Sequence, residues 1–159
     1  MSIINVGIGE WKISSEPGDI IKTYALGSCV AVIIQDVKLK SVGLIHIALP
    51  DSSIDPEKAH RMPGYFADTG LSTMIEEMKK KGSVRPNIRV KLVGGAAVMD
   101  DKGFFDIGKR NLLAVKKILW KSSLGAIAED TGGEISRTVS VNVSDGDTLI
   151  SSGKRQWKI

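Results

Sequence analysis

Residues 29–35 carry apolar side chains on both alternating sets and are rich in β-branched residues, which predicts a strand buried on both faces. A second apolar run over residues 42–49 follows the polar Asp36-Val37-Lys38-Leu39-Lys40-Ser41, so the two runs are predicted to pair as an antiparallel hairpin. Upstream, residues 3–13 read as an opening strand interrupted by Gly7 and Gly9, where a bulge or a close backbone approach is expected. Pro17-Gly18 is a turn signal, and residues 20–24 read as the next strand. Residues 54–63 hold two prolines and no clear period. They read as a loop, long enough to serve as a lid or to touch a substrate.

Leu71, Met74, Ile75 and Met78 recur at i, i+3, i+4 and i+7 and predict a helix that stops at Lys79-Lys80-Lys81-Gly82. A second helix is predicted from about residue 109 to 122, with Leu112, Val115 and Leu119 on one face and Gly125 as its stop. Between them, residues 88–93 read as a strand ending at Gly94-Gly95-Ala96, residues 99–103 as a turn, and Phe104-Phe105 follows. Strands over residues 126–130, 135–143 and 149–157 complete the chain, separated by turns at Thr131-Gly132-Gly133 and Ser144-Asp145-Gly146-Asp147. Hairpins at both ends with helices between predict an α/β or α+β class, layered on a mixed or antiparallel sheet. Seven or eight strands and two substantial helices are expected.

Composition narrows this picture. The chain has 159 residues, 42% hydrophobic and 25% charged, the balance of an ordinary globular protein, and one domain over residues 1–159 is expected. A single cysteine excludes an internal disulfide. Apolar runs too short for a bilayer and an N-terminus without a signal pattern predict a cytoplasmic protein with no membrane insertion. The net charge of +4 is scattered and comes without a basic-aromatic motif, so no nucleic-acid partner is expected.

The candidate chemistry lies in the first hairpin. Cys29 is the only cysteine and His46 one of two histidines. If Gln35 opposes Val42, Ala31 faces His46 and Cys29 lies diagonal to His46 on the same face, about 7–8 Å away by backbone. A register shifted by one residue puts them on opposite faces. A thiol beside an imidazole is the minimum equipment for nucleophilic attack on a carbonyl, and the imidazole is expected to favour the thiolate. Gly27-Ser28 allows a sharp turn whose backbone N–H groups point at a developing oxyanion. Thr23, Ser28, Asp36 and Asp51 are all candidates for the group that orients the ring. The competing reading makes Cys29 a small buried hydrophobe and His46 a hydrogen-bonded core residue. Cys29, His46 and His60 supply three donors for a metal, but no ligand-type spacing supports one.

Leu26-Gly27-Ser28-Cys29-Val30 and His46-Ile47-Ala48-Leu49-Pro50-Asp51-Ser52 resemble the core signature of the CheD family, the chemoreceptor glutamine deamidases of bacterial and archaeal chemotaxis. The likeness continues, in the family's order, through Tyr65-Phe66-Ala67-Asp68, Gly94-Gly95-Ala96, Ile107-Gly108-Lys109-Arg110-Asn111 and Ala128-Glu129-Asp130-Thr131-Gly132-Gly133. The resemblance implies an α/β fold in three layers, similar to the catalytic domain of cytotoxic necrotizing factors, and a papain-like chemistry. Cys29 is then the nucleophile, His46 the base and Thr23 the third catalytic residue, with the oxyanion held near Gly27 and Ser28. The implied reaction is hydrolysis of a protein glutamine to glutamate in chemotaxis adaptation, with glutamate methyl-ester hydrolysis also allowed and no cofactor required. The implied partners are methyl-accepting chemoreceptors and a CheC-type phosphatase. Gly94, Gly95, Phe104 and Phe105 read either as contact features for the phosphatase or as a tight turn followed by core aromatics. The alternative is a non-catalytic module that binds receptors or the phosphatase.

Overall fold

A computed structural model of the chain describes residues 2–97 and 106–159. The chain opens with strands Ile3–Asn5 (β1), Trp11–Ser14 (β2), Ile20–Leu26 (β3), Val30–Asp36 (β4) and Ser41–Ile47 (β5). A short helix Pro56–Arg61 (α1), helix Ser72–Lys80 (α2), strand Ile88–Gly94 (β6) and helix Ile107–Lys121 (α3) follow. Strands Ala126–Thr131 (β7), Arg137–Asn142 (β8), Thr148–Ser152 (β9) and Arg155–Lys158 (β10) end it. The strands form two sheets, ordered β2-β5-β4-β6-β7 and β1-β3-β8-β9-β10. Both are mixed: β6–β7 and β1–β3 are parallel and the other pairings antiparallel.

Three layers follow from where the apolar side chains go. In β4, Val30, Val32 and Ile34 point to one side and pack with Ile45 and Ile47 of β5 against Met74, Ile75 and Met78 of α2 and Val115 and Leu119 of α3. The alternate set, Ala31 and Ile33 with Val42 and Leu44, faces the second sheet and meets Ile21, Leu26, Val139, Val141 and Ile150. This explains why neither alternating set in residues 29–35 is polar: β4 lies mid-sheet, between a helical layer and a second sheet. The class is α/β with a mixed central sheet, as predicted.

Three predicted elements differ from the structure. Residues 3–13 are two strands in different sheets. Val6 still donates to Lys22 along β3, and then Gly7-Ile8-Gly9 turns, with the Gly7 N–H bound to the Glu10 carboxylate at 2.7 Å. The chain thereby crosses from the outer to the central sheet, a break that alternation of Val6 and Ile8 conceals. Residues 149–157 are also two strands, folded back at Gly153, whose φ of 60° suits glycine. Residues 54–63 are largely helical rather than a loop: Asp55 caps α1 by accepting from the Lys58 N–H at 3.1 Å, and Pro56 occupies the first turn. The Asp-Pro-Glu start of that helix was a legible capping signal. The predicted turn at 99–103 and the pair Phe104-Phe105 lie outside the described residues.

Candidate active site

β5 is held from both sides at the level of His46. Ala31 of β4 is its partner across one edge, and across the other its N–H donates to the Glu10 carbonyl at 3.1 Å while its carbonyl accepts from Gly9 at 2.8 Å. By alternation with Val42 and Leu44 its ring enters the space between the sheets, where it is 2% exposed. Thr23 reaches it from β3 of the other sheet. Its Oγ1 lies 2.6 Å from His46 Nδ1 and 2.7 Å from the Val6 carbonyl oxygen. A hydroxyl has one proton, and the Val6 carbonyl can only accept. Thr23 therefore donates to Val6, and His46 Nδ1–H donates to Thr23. This leaves Nε2 as the basic nitrogen. Nε2 is buried and has no hydrogen-bond partner among the described residues.

The Cys29 loop is built just as firmly. β3 bulges between Thr23 and Leu26, with Ala25 in the left-handed region at φ 55°. That bulge turns both Thr23 and Leu26 inward and sends the chain into Gly27-Ser28-Cys29. The three carbonyls of that tripeptide are then fixed. Gly27 accepts from Ala96 N–H at 2.8 Å and Cys29 from Gly95 N–H at 2.8 Å. Ser28 accepts from the Asn111 amide at 2.9 Å. Gly94, at φ 112°, has no space for a side chain, because a Cβ there would collide with the Cys29 carbonyl. Gly94 and Gly95 are thus buried beneath the Cys29 loop and form no exposed contact surface.

The pairing β4–β5 has the register in which Gln35 opposes Val42 and Ala31 opposes His46. Cys29 precedes Val30, partner of Ile47, and its half-buried side chain packs against the inter-sheet cluster on the side to which His46 points. The structure thus brings Cys29, His46 and Thr23 to one end of the inter-sheet space. The other candidates for orienting the ring are elsewhere. Asp36 is at the far end of β4 and holds the hairpin turn through the Lys38 and Leu39 N–H groups. Asp51 is exposed and caps the turn after β5. Ser28 offers its carbonyl to Asn111. His60 is exposed on α1.

Asn111 escaped the sequence reading as a site residue. Fully buried in α3, it donates through Nδ2 to Ser28 O at 2.9 Å and to Ala48 O at 3.0 Å. Two carbonyl partners fix which end of the amide is nitrogen. Oδ1 remains buried without a partner among the described residues. The signal was present in the helix period: Asn111 falls on the face of Val115 and Leu119, and a polar residue on a buried face has to be bonded.

Burial sets the electrostatics. It pushes the Cys29 thiol above its ordinary value, against a smaller downward pull from the backbone N–H of Cys29 itself. It lowers His46 to about 4, because the charged imidazolium is disfavoured away from water. The expected resting thiolate is therefore corrected: thiol and imidazole both rest neutral.

Residues 48–152 match the family model described as CheD chemotactic sensory transduction. A protein of Syntrophotalea carbinolica named probable chemoreceptor glutamine deamidase CheD is 49% identical over 162 residues, covering 100% of both chains. The chain belongs to the CheD family. Its likeness extends to a Syntrophus aciditrophicus protein named probable chemoreceptor glutamine deamidase CheD 1, at 41% identity over 96% of this chain and 95% of the relative. A Thermotoga maritima protein named chemoreceptor glutamine deamidase CheD is 41% identical over 91% of this chain and 88% of its own. The CheD model match begins at Ala48, after Thr23, Cys29 and His46, whereas the 49% alignment covers all three.

Proposed function

We propose that the chain is a protein-glutamine deamidase acting on chemoreceptors in chemotaxis, with Cys29, His46 and Thr23 as its catalytic set. The observation that carries this reading is the hydrogen bond from His46 to Thr23, which leaves Nε2 as a free base on the face of the hairpin that carries Cys29. His46 Nε2 takes the thiol proton as Cys29 Sγ attacks the side-chain amide carbon. The carbonyl oxygen becomes an oxyanion, and the C–N bond breaks as His46 returns the proton to the leaving ammonia. Water, deprotonated by His46, then attacks the γ-glutamyl thioester, giving glutamate and the free thiol. The same steps hydrolyse a glutamate methyl ester, with methanol as the leaving group. Thr23 orients the ring without adding charge, which fits the low value of His46.

The Cys29 N–H is the oxyanion donor best placed by this loop. In a trans peptide the C=O and N–H point in opposite directions, so anchoring Ser28 O on Asn111 aims Cys29 N–H the other way. The downward pull of that N–H on the thiol fits its lying on the thiol's side. Asn111 is thus a positioning residue, with Gly27 and Ser28 shaping the turn. Asn111→Asp, which presents oxygens to both carbonyls, is expected to lower kcat by about 10²-fold with KM little changed. Alkylation of Cys29 by iodoacetamide needs no oxyanion hole and keeps its parental rate. An alkylation rate that falls in step with kcat places Asn111 in general folding instead.

The pH profile follows from the His46 shift. Only the neutral ring accepts the thiol proton, and burial holds the ring neutral down to about pH 4. The acid limb of kcat/KM is therefore expected near pH 4, well below the ordinary histidine range. A limb at 6–7, read from ammonia release, contradicts this assignment.

The likeness to cytotoxic necrotizing factor catalytic domains rests on the family resemblance, which implies a three-layered fold. Among the described residues no helix is long and apolar enough to cross a membrane; action from the cytoplasm on the receptors' cytoplasmic parts rests on the resemblance. The second reading, a module that binds receptors or a CheC-type phosphatase, is compatible with the first and rests on the resemblance, since Gly94 and Gly95 are occupied in holding the Cys29 loop.

A further inference from the structure

Lysines that are scattered along the sequence meet at one end of the fold. The turn between β4 and β5 presents Val37-Lys38-Leu39-Lys40, all exposed. α2 ends in Lys79-Lys80-Lys81 and the chain runs on through Val84-Arg85, and α3 ends in Trp120-Lys121, again all exposed. These three segments are joined. Val37 N–H donates to the Asn87 carbonyl at 2.9 Å, and Leu39 lies so near Gly82 that a Cβ there would touch it. A cavity of about 40 Å³ between the two helix ends is walled by Met78, Ser83 and Arg85 on one side and Ser122 and Leu124 on the other. The surface they form is remote from the site. β4 starts beside Cys29 and ends at Asp36, whose carboxylate holds the turn, and its length in extended conformation is roughly 20 Å.

Charge and apolarity coincide there. Val37, Leu39, Val84 (54% exposed) and Trp120 (80% exposed) stand in water between the cations, an arrangement that disfavours the free chain and marks an interaction site. Among the acidic groups nearby, Asp36 is buried under the turn, and Glu77 accepts from the Trp11 indole at 3.1 Å. Glu76, four residues before Lys80, is exposed. Asp145 belongs to the outer-sheet turn that meets Gln35. The helix side of this end is therefore strongly positive. We propose that it docks the chain on an anionic lipid surface, with the lysines over the headgroups and the Val37, Leu39, Val84 and Trp120 side chains entering the interface. Three features choose lipid over an acidic protein. Apart from Arg85 the cations are lysines, which are depleted in protein interfaces but are drawn to anionic headgroups, each adding to the affinity. The apolar side chains sit on separate turns, as separate anchors, and tryptophan suits the boundary between lipid and water. The cavity between the helix ends holds about one or two waters and has no room for a partner's side chain. Docked this way, the chain needs no membrane-crossing helix, and its Cys29 end faces away from the lipid. The inference does not depend on the deamidase reading.

The test is vesicle binding by the whole chain. Sedimentation with vesicles of equal parts phosphatidylglycerol and phosphatidylcholine is compared with sedimentation on phosphatidylcholine alone. The chain is expected to bind the anionic vesicles, less tightly as salt is raised, and to leave the neutral ones. Lys80→Glu with Lys121→Glu is expected to weaken this binding about tenfold or more, and Trp120→Ala several-fold. Lys12→Glu with Lys154→Glu makes the same change in net charge at exposed positions elsewhere, and keeps most of the binding. The variants at the lysine-rich end should melt with the parent and deamidate a soluble receptor fragment at the parental rate. A parent chain that binds anionic vesicles as expected and deamidates nothing upholds this surface and removes the catalytic reading instead. Failure to bind anionic vesicles at low salt overturns the proposal. Equal losses in the two charge-reversed pairs also overturn it, since net charge alone then accounts for the adsorption. Binding of the soluble receptor fragment that is lost in Lys80→Glu with Lys121→Glu, without any vesicle binding by the parent, assigns the surface to a protein and overturns it as well.

Discussion

Cys29→Ala is expected to lower ammonia release from receptor glutamines by about four orders of magnitude or more while leaving the fold in place. In the proposed mechanism the loss is large because the thiol is the nucleophile of the first half-reaction and the leaving group of the second: without it no thioester forms, and water has to attack an unactivated amide. The fold survives because Cys29 is only half-buried and packs at the border of the inter-sheet cluster. Exchanging a thiol for a hydrogen there costs about 1 kcal/mol or less. The Cys29 and Gly27 carbonyls, which hold the loop to Gly95 and Ala96, belong to the backbone and are untouched. The measurement is ammonia release beside a thermal melt. Retained release in a folded variant removes Cys29 from the chemistry.

Thr23→Val is expected to lower kcat by about 10²–10⁴-fold, whereas Thr23→Ser stays within a few-fold of the parent. Valine keeps the shape and removes the oxygen that accepts from His46 Nδ1 and the proton that Val6 accepts. Two buried polar groups are then unpaired, at about 1–3 kcal/mol each, and nothing holds the ring in the tautomer with Nε2 bare. Nε2 carrying the proton cannot take another from the thiol. The Thr/Ser/Val series distinguishes this role from simple packing: a fold defect tracks the missing methyl in serine, and a tautomer defect tracks the missing hydroxyl in valine. Full activity in a stable valine variant contradicts the role assigned to Thr23.

The hairpin was legible because its signal is strong at short range. Two apolar runs joined by a polar turn specify an antiparallel pair, but burial on both faces leaves its register open to pattern, and of the two parities the structure takes the one in which Ala31 faces His46. The Thr23 contact was not legible in that way. It is a meeting between two sheets, from β3 to β5, and no periodicity within either strand encodes which residue of one sheet faces which residue of the other. Only the family resemblance singled out Thr23 among four candidates. Val6 was hidden for a related reason: its carbonyl reaches Thr23 only because the chain leaves one sheet for the other at Gly7-Ile8-Gly9. Asn111 lies between these cases, since its place on the apolar face of α3 could be read and its partners could not. The resting charge state was misjudged because a thiol and an imidazole drawn from a sequence carry no burial. Once both are enclosed, desolvation raises the thiol and lowers the ring.

The role of a hydroxyl as third residue has a chemical consequence. A carboxylate in that place would stabilise the imidazolium and raise His46, favouring a resting ion pair. In the proposed mechanism Thr23 fixes only the direction of the ring, and charge forms only when substrate arrives. A thiol kept neutral is also poorly reactive toward oxidants and alkylating agents, which suits the proposed role of a nucleophile reserved for one amide.

The central claim, that Cys29 carries a γ-glutamyl thioester from a receptor glutamine, is tested most directly by trapping that intermediate. The chain is mixed with a purified chemoreceptor cytoplasmic fragment, quenched in acid during turnover, digested and read by mass spectrometry. The account predicts a receptor peptide linked through its glutamine carbonyl to the peptide containing Cys29, released by hydroxylamine as the glutamyl hydroxamate. It also predicts glutamate in place of that glutamine after longer incubation. Conversion of glutamine to glutamate with no adduct at Cys29 at any quench time, and at an undiminished rate in Cys29→Ala, would contradict it.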